Sequence, residues 1–327
     1  MLFGPPRKTF AKTPTDYGLH YLDVSFPSRR DQLLLRGWFI PGILPGGQLT
    51  TARTIIMVHG LDSNRAAPEA GLLDLGVELA RQGFAILTFD LRGHGESAPA
   101  RRSMGYFEQY DVLGAVDFLR NGPLPFPELG RPRVIGGYGL SMGGAALLLA
   151  TAREPSIRGV ITDCTFASFV PLIAHATRLP PVFASAIANV MELLFGINYH
   201  AIRPVDVVAN IAPRPLFFIH GRTDTIVPSE NLKLLVDAAS RGADAHVQAW
   251  LIPYAQHIQC YHTMRAEYLK RMVDFFTSAL NLADPIVMVN PACFPRTSVQ
   301  TLQDDSLSNA SRRRRGQTGE LQPGEQQ

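Results

Sequence analysis

The chain predicts an α/β fold, a mostly parallel twisted sheet with helices on both faces. Three observations carry that prediction. From Thr54 onward, short apolar segments of strand length alternate with helical stretches, the pattern of a parallel sheet covered on both sides. The pentapeptide Gly139-Leu140-Ser141-Met142-Gly143 fits G-x-S-x-G and lies between an apolar strand-like run and a helical run. Such a strand-to-helix turn holds a serine in a strained backbone conformation with its hydroxyl presented outward. Two later strand-like runs are each followed by a loop with one chemically useful side chain, Asp224 in the first and His257 in the second.

Taken in order, His20 to Pro27 and Gln32 to Pro41 read as two strands joined at Ser28-Arg29-Arg30-Asp31, an N-terminal hairpin. Gly42 to Thr51 is rich in Gly and Pro and reads as a loop. Thr54 to His59 is a buried strand, Glu69 to Gln82 an amphipathic helix, Ala85 to Asp90 a strand and Tyr106 to Arg120 a helix. Arg133 to Tyr138 is the strand before the serine turn, and Gly144 to Ala150 continues the helix after it. Gly159 to Asp163, Leu216 to His220 and Val247 to Ile252 are further strands, the last two each followed by a helical segment.

Two regions break the rhythm. Residues 165–208 contain two apolar helical stretches, Phe169 to Ala176 and Val182 to Phe195, split by Leu179-Pro180-Pro181. The prolines cannot continue a helix, so a helix pair is expected. An insertion at the carboxyl ends of the strands is placed either to cover a ligand site or simply to pack on the sheet. From about Asn290 the chain loses apolar periodicity and carries Arg312-Arg313-Arg314-Arg315 in a Gly/Gln/Glu-rich end. The expected organisation is an N-terminal extension over 1–15, one domain over 16–284 with the insertion inside it, and a disordered tail over 285–327.

The composition excludes several classes. The net charge of +3 is spread along 327 residues, so no basic face for nucleic acid is implied. The tail arginines could attract anionic lipid or nucleic acid, but a solvated tail is the expectation. Cys164, Cys260 and Cys293 show neither metal-ligand nor redox spacing; a reducing, cytoplasmic setting fits them. The residues at the start lack the apolar stretch of a signal peptide, and no apolar run is long enough for an integral membrane segment. Neither metal nor organic cofactor is called for.

A serine hydroxyl is a weak nucleophile at neutral pH and needs a base, and the base needs a carboxylate to orient it. In the chain order nucleophile, acid, histidine, Ser141 would be followed by Asp224 and His257. In a parallel sheet their loops share one edge. Asp163 is a rival acid, because it too ends a strand after the serine. His262, His246, His220 and His175 compete with His257 from a helix, a strand start, a strand end and the insertion. The oxyanion donors expected are the N–H of Met142, directly after the nucleophile, and the N–H of Leu61, after the strand that ends in His59-Gly60. His59 precedes the nucleophile in the chain and reads as a residue that braces this loop.

These motifs together resemble the α/β-hydrolase superfamily, and within it the cap-poor serine hydrolases related to the serine aminopeptidase and Bem46-like groups. Val58-His59-Gly60 is similar to the oxyanion loop, Asp90-Leu91-Arg92-Gly93-His94-Gly95-Glu96-Ser97 to the D-x-R-G-x-G-x-S turn, Gly139 to Gly144 to the nucleophile elbow, and His220-Gly221-Arg222-Thr223-Asp224 with Val227-Pro228 to the acid loop. The resemblance runs from about Asp16 to Ala283. It implies eight strands with the second antiparallel, a structural role for the D-x-R-G turn, and hydrolysis through a Ser141-His257-Asp224 triad. Where the usual histidine has a small neighbour, Gln256 and Ile258 flank His257.

The expected reaction is cleavage of a carboxylic ester. Phe166, Phe169, Phe183 and Phe195 in the insertion suggest an apolar acyl or aryl group on the substrate. An aminopeptidase or amidase is the alternative enzyme; it would need carboxylates near the site for a substrate ammonium, and the insertion has only Glu192 and Asp206. A non-catalytic binding protein of the same fold is the alternative from another class, and a complete triad argues against it.

Overall fold

The structure, a computed structural model, describes residues 7–282. The tail expected over 285–327, with its arginine run, and Cys293 lie outside the described residues. The hairpin is present as β1 (Leu22–Pro27) and β2 (Leu34–Ile40), with Leu22 opposite Phe39 and Pro27 opposite Leu34. The stretch read as a loop contains a short ribbon, β3 (Gly42–Ile43) and β4 (Leu49–Thr50). Two residues per strand are too few to leave a periodic signal. Then follow β5 (Arg53–Val58), α1 (Leu72–Arg81), β6 (Ala85–Asp90), α2 (Glu108–Asn121), β7 (Val134–Leu140), α3 (Met142–Thr151) and β8 (Ile157–Asp163). The helix expected from Glu69 starts later, because Pro68–Ala70 forms a separate 3-10 turn ended by Gly71.

The insertion contributes α4 (Phe169–Thr177), α5 (Pro181–Phe195) and the single turn α6 (Pro204–Val207). The chain closes with β9 (Leu216–Gly221), α7 (Glu230–Ala239), β10 (Val247–Ile252), α8 (Cys260–Thr263) and α9 (Arg265–Ala279). Pro181 is the first residue of α5, where its missing N–H costs nothing, so the proline pair separates two helices as expected.

Eight strands make one sheet in the order β1-β2-β6-β5-β7-β8-β9-β10. β2 runs antiparallel to both its neighbours, and β6, β5, β7, β8, β9 and β10 are mutually parallel. The inner parallel strands are buried on both faces, which is why β5 and β6 read as mostly apolar rather than alternating; the edge strand β10 is partly exposed. On one face α2, α3 and α7 press Val112, Val116, Leu147 and Leu235 against the sheet. On the other, α1 and α9 bring Leu75, Leu79, Met272 and Phe276. α3 is buried on every side, matching its uniformly apolar sequence.

The register aligns the carboxyl ends. Val58 pairs with Gly139, Leu140 with Asp163, Asp163 with Ile219, and Gly221 with Ile252. The loops after β5, β7, β8, β9 and β10 therefore leave from one edge, the edge where ligands bind in open parallel sheets. Residues 7–15, set off in the sequence as an extension, lie against the domain. The Asn64 side chain donates to the carbonyls of Lys8 and Thr9, and Phe10 meets Trp38 edge-on at 4.7 Å.

Candidate active site

The serine turn follows from local sterics. Ser141 has φ 51° and ψ −118°, a conformation L-residues rarely adopt, between the end of β7 and the start of α3. Its N–H donates to the Asp163 carbonyl at 2.9 Å, which ties the turn to β8. The flanking glycines are required by close approach. A Cβ at Gly139 would stand 2.6 Å from the Gly144 Cα, and one at Gly143 would stand 2.3 Å from the His59 carbonyl oxygen. Neither neighbour can yield, because both are backbone.

The structure brings Ser141, His257 and Asp224 together. His257 Nε2 lies 3.0 Å from Ser141 Oγ, and His257 Nδ1 lies 2.7 Å from Asp224 Oδ2. The imidazole is thus bonded on both sides, with its Nδ1–H donated to the carboxylate and Nε2 free to accept the serine proton. The other Asp224 oxygen accepts the N–H groups of Ile226 at 2.9 Å and Val227 at 2.8 Å. Burial alone would raise this carboxyl. Hydrogen bonds from His220 and His257, the charge of His257 and the Val227 N–H outweigh burial and hold it well below the ordinary carboxylate range.

The rival acid is accounted for differently. Asp163 is fully buried, accepts from Tyr268 at 2.9 Å, and Tyr268 in turn meets the Tyr138 hydroxyl at 2.9 Å. Burial raises its pKa against the hydrogen bonds it receives, and it belongs to a buried polar cluster with Tyr268 and Tyr138 under the sheet edge. Among the other histidines, His175 bonds the Thr225 carbonyl from α4, and His262 and His246 lie at exposed positions in α8 and before β10. His220, a competitor of His257 in the sequence, lies beside Asp224 rather than Ser141. Its Nε2 lies 2.9 Å from the Val227 carbonyl and 3.5 Å from Asp224 Oδ2, so it braces the acid loop from below. The signal was its position four residues before Asp224 at a strand end.

His59 and His94 brace the loop after β5. The Leu91 N–H donates to His59 Nε2 at 3.0 Å, so the proton of that ring is on Nδ1, which lies 2.6 Å from the Gly60 carbonyl. Because the peptide is planar and trans, a Gly60 carbonyl directed at His59 sends the Leu61 N–H the opposite way. Gly60 itself abuts Ser141; a Cβ on it would be 3.5 Å from the Ser141 Cβ. The Leu61 N–H enters no backbone hydrogen bond among the described residues, and Met142, as the first residue of α3, has an N–H that the helix leaves unpaired.

His94 accepts the Asp62 N–H at 3.2 Å, Arg102 pairs with Asp62, and the His59 and His94 rings meet edge-on at 4.9 Å. Burial lowers the His59 pKa to about 4 and, with the charges of His59 and Arg102, that of His94 to about 2, so both rings stay neutral. The D-x-R-G turn that supplies His94 is itself pinned: Asp90 accepts the Arg65 and Glu96 N–H groups, and Arg92 pairs with Asp111 and Asp31. Its structural role includes the bed of the loop beside the serine, which its motif spacing alone did not reveal.

Two buried sets of groups lie close enough to share an ion: Asp163 with Cys164 and Cys260, and Cys164 with His220 and Asp224. In the first, burial pushes the Cys164 thiol well up, and the Cys260 thiol to about 12 despite its bond to Cys164. In the second, Asp224 is already engaged by His257. Protonated thiols are poor ligands. No single helix among the described residues is long and apolar enough to cross a membrane; α4 and α5 pass that test only together and are bent by 115° at their break.

The family model described as serine aminopeptidase, S33, matches residues 50–196. The uncharacterized protein YfhR of Escherichia coli is 30% identical over 255 residues, covering 77% of this chain and 79% of that protein. Esterase YjfP of Escherichia coli is 27% identical over 250 residues, covering 72% of this chain and 93% of its own length. Among solved structures, the esterase Pf2001 of Pyrococcus furiosus superposes with a TM-score of 0.69 at 25% identity, over 85% of this chain and 98% of that one. Fold, motif order and relatives agree, and the chain belongs to the serine aminopeptidase S33 family of the α/β-hydrolase superfamily.

Proposed function

We propose that this hydrolase cleaves carboxylic esters through an acyl-enzyme intermediate on Ser141. The observation that carries the reading is the continuous chain Ser141 Oγ, His257, Asp224 with contacts of 3.0 and 2.7 Å. Ser141 Oγ attacks the ester carbonyl carbon as His257 Nε2 takes its proton. The carbonyl electrons move to oxygen, and the N–H groups of Leu61 and Met142 receive that oxyanion. Collapse expels the alkoxide, which leaves as the alcohol with the proton from His257. Water, deprotonated by the same nitrogen, repeats the sequence on the acyl-serine and releases the acid. Asp224, kept ionised by its hydrogen bonds, fixes the imidazole tautomer and stabilises the imidazolium in both halves.

Esters are favoured over free-amine substrates by the carboxylates nearby. A substrate ammonium needs an ionised acid to meet it. Asp62 is paired with Arg102, Asp206 with Arg203, and Asp163 is buried and engaged by Tyr268. The names of the relatives YjfP and Pf2001 point the same way. A p-nitrophenyl ester series of increasing acyl length, run beside aminoacyl anilides, tests the reading. Ester kcat/KM should exceed that of every anilide by at least about a hundredfold. Anilide turnover equal to or above ester turnover would make the protein a peptidase.

A further inference from the structure

One face of the β1–β2 hairpin carries a cleft that the chemistry at Ser141 does not use. Its volume is about 510 Å³, room for a ligand of amino-acid size. Alternate residues of the two strands line it: Asp23 and Ser25 from β1, Arg36 and Trp38 from β2, with Asp23 opposite Trp38 and Ser25 opposite Arg36. The other face of the same strands turns Val24, Phe26, Leu35 and Phe39 into the core. Trp38 is buried at the floor, with Phe10 at 4.7 Å and Tyr21 at 5.8 Å, both edge-on and half-buried. Arg65 is buried beside it, its guanidinium 4.6 Å from the Phe10 ring centroid and 4.6 Å from that of Trp38.

Three polar groups at this cleft are unengaged. Asp23 and Arg36 are partly exposed, and among the described residues neither side chain enters a hydrogen bond or an ion pair. They stand at diagonal positions of the two strands, where Cβ atoms are roughly 7 Å apart. Arg65 meets Asp90 and Glu96 with its end nitrogens, yet its Nε is buried with no partner. A buried donor left open is costly unless something outside the chain accepts from it. An acid and a base held apart beside aromatic rings suit a zwitterion. Its ammonium would meet Asp23, its carboxylate Arg36 and the Arg65 Nε, and its apolar side chain the rings of Phe10 and Tyr21. A simple anion fits less well. Arg7, Arg36 and Arg65 stand against as many acids, Asp23, Asp90 and Glu96, so the cleft has no net charge to draw one.

We propose that this cleft binds a free apolar α-amino acid at a site apart from Ser141. The cleft lies over β1 and β2, and three sheet spacings separate β2 from β7, about 14 Å at about 4.8 Å each.

Equilibrium dialysis of the full chain against labelled L-leucine tests this independently of any turnover. Saturable binding of one molecule per chain is expected, with a Kd of about 1 mM or lower. Isocaproate, which lacks the ammonium, isoamylamine, which lacks the carboxylate, and glycine, which lacks the side chain, should each compete at least tenfold less well. Asp23→Asn and Arg36→Gln should each weaken binding at least tenfold. Both should keep the parent thermal midpoint, as the replaced side chains are partly exposed and unpaired. Ser141→Ala should bind L-leucine as the parent does, which keeps this cleft distinct from the hydrolytic site. Four results would overturn the proposal: no saturable binding; equal competition by isocaproate, which would make the cleft a site for carboxylates alone; undiminished binding by both cleft variants; or binding that appears only once residues 1–6 are removed, which would make the start of this chain the occupant.

Discussion

At the carboxyl edge of the sheet, Ser141 and Asp224 are buried, His257 is bonded on both ring nitrogens, and the loop after β5 rests on two neutral imidazoles. In the insertion, α5 buries two alanines and leaves leucine, valine and phenylalanine side chains in solvent. Both regions are apolar in sequence, yet only the first is over-determined by its surroundings. Preorganised donors and acceptors cost no rearrangement when charge develops. A face held by few contacts has no such constraint. Chemistry should therefore respond to small changes at the edge, and stability should hardly notice changes on that face.

The largest contrast is expected between two aspartates on neighbouring strand ends. Asp224→Asn removes the acceptor for His257 Nδ1–H, allows the wrong tautomer, and should lower kcat by about 10⁴ with the fold intact. Asp163 is a buried carboxyl that accepts a hydrogen bond from Tyr268, and Asn can accept the same bond. Asp163→Asn should stay within about tenfold of the parent in kcat, since it removes no group that touches the reacting atoms. The reverse ranking, measured on one ester, would move the acid to β8.

The next contrast lies within the insertion itself. The four phenylalanines that suggested an apolar group on the substrate are divided: Phe166 and Phe169 pack under the insertion with Tyr199, Phe195 is half-buried, and Phe183 faces solvent. Phe166→Ala should cost about 3–5 kcal/mol in denaturant unfolding. Phe183→Ala should stay within about 0.5 kcal/mol of the parent. Equal losses would mean that the outer face of α5 is packed.

The smallest effect sharpens the comparison through pH. In the folded chain His59 takes a proton only near pH 4 and His94 only near pH 2, whereas the unfolded chain takes both near 6.5. Between those values the unfolded state binds more protons, so stability is complete above about pH 6.5 and falls as pH falls toward 4. The thermal midpoint should decline over that window. The decline should be shallower in His94→Asn and unchanged in slope in Leu193→Ala. An unaltered slope in His94→Asn would show that His94 is not held neutral.

Most of this architecture is legible in the chain because its elements are long and periodic. β5, β6 and β9 are mostly apolar runs of strand length, the elbow has glycines that the backbone demands, and Asp224 and His257 follow strands whose order fixes their edge. What escapes is set by contacts distant in sequence. The two-residue strands β3 and β4 have no period to read. His94 sits in a turn whose role reads as structural and His220 at the strand end before Asp224, and only the fold shows that they brace the loop beside Ser141 and the acid loop. Insertion phenylalanines look alike in sequence, and their division into buried and exposed depends on how α4 and α5 turn about Pro180-Pro181.

The central claim is that Ser141 is the nucleophile. A fluorophosphonate probe, whose fluoride a nucleophilic serine displaces, tests it most directly when the adduct is mapped by mass. The account predicts one adduct per chain on the peptide containing Ser141. It predicts none in Ser141→Ala, which should keep its thermal midpoint while ester turnover falls by about 10⁴ or more. An adduct on another serine, or Ser141→Ala retaining more than about a tenth of the parent turnover, would contradict it.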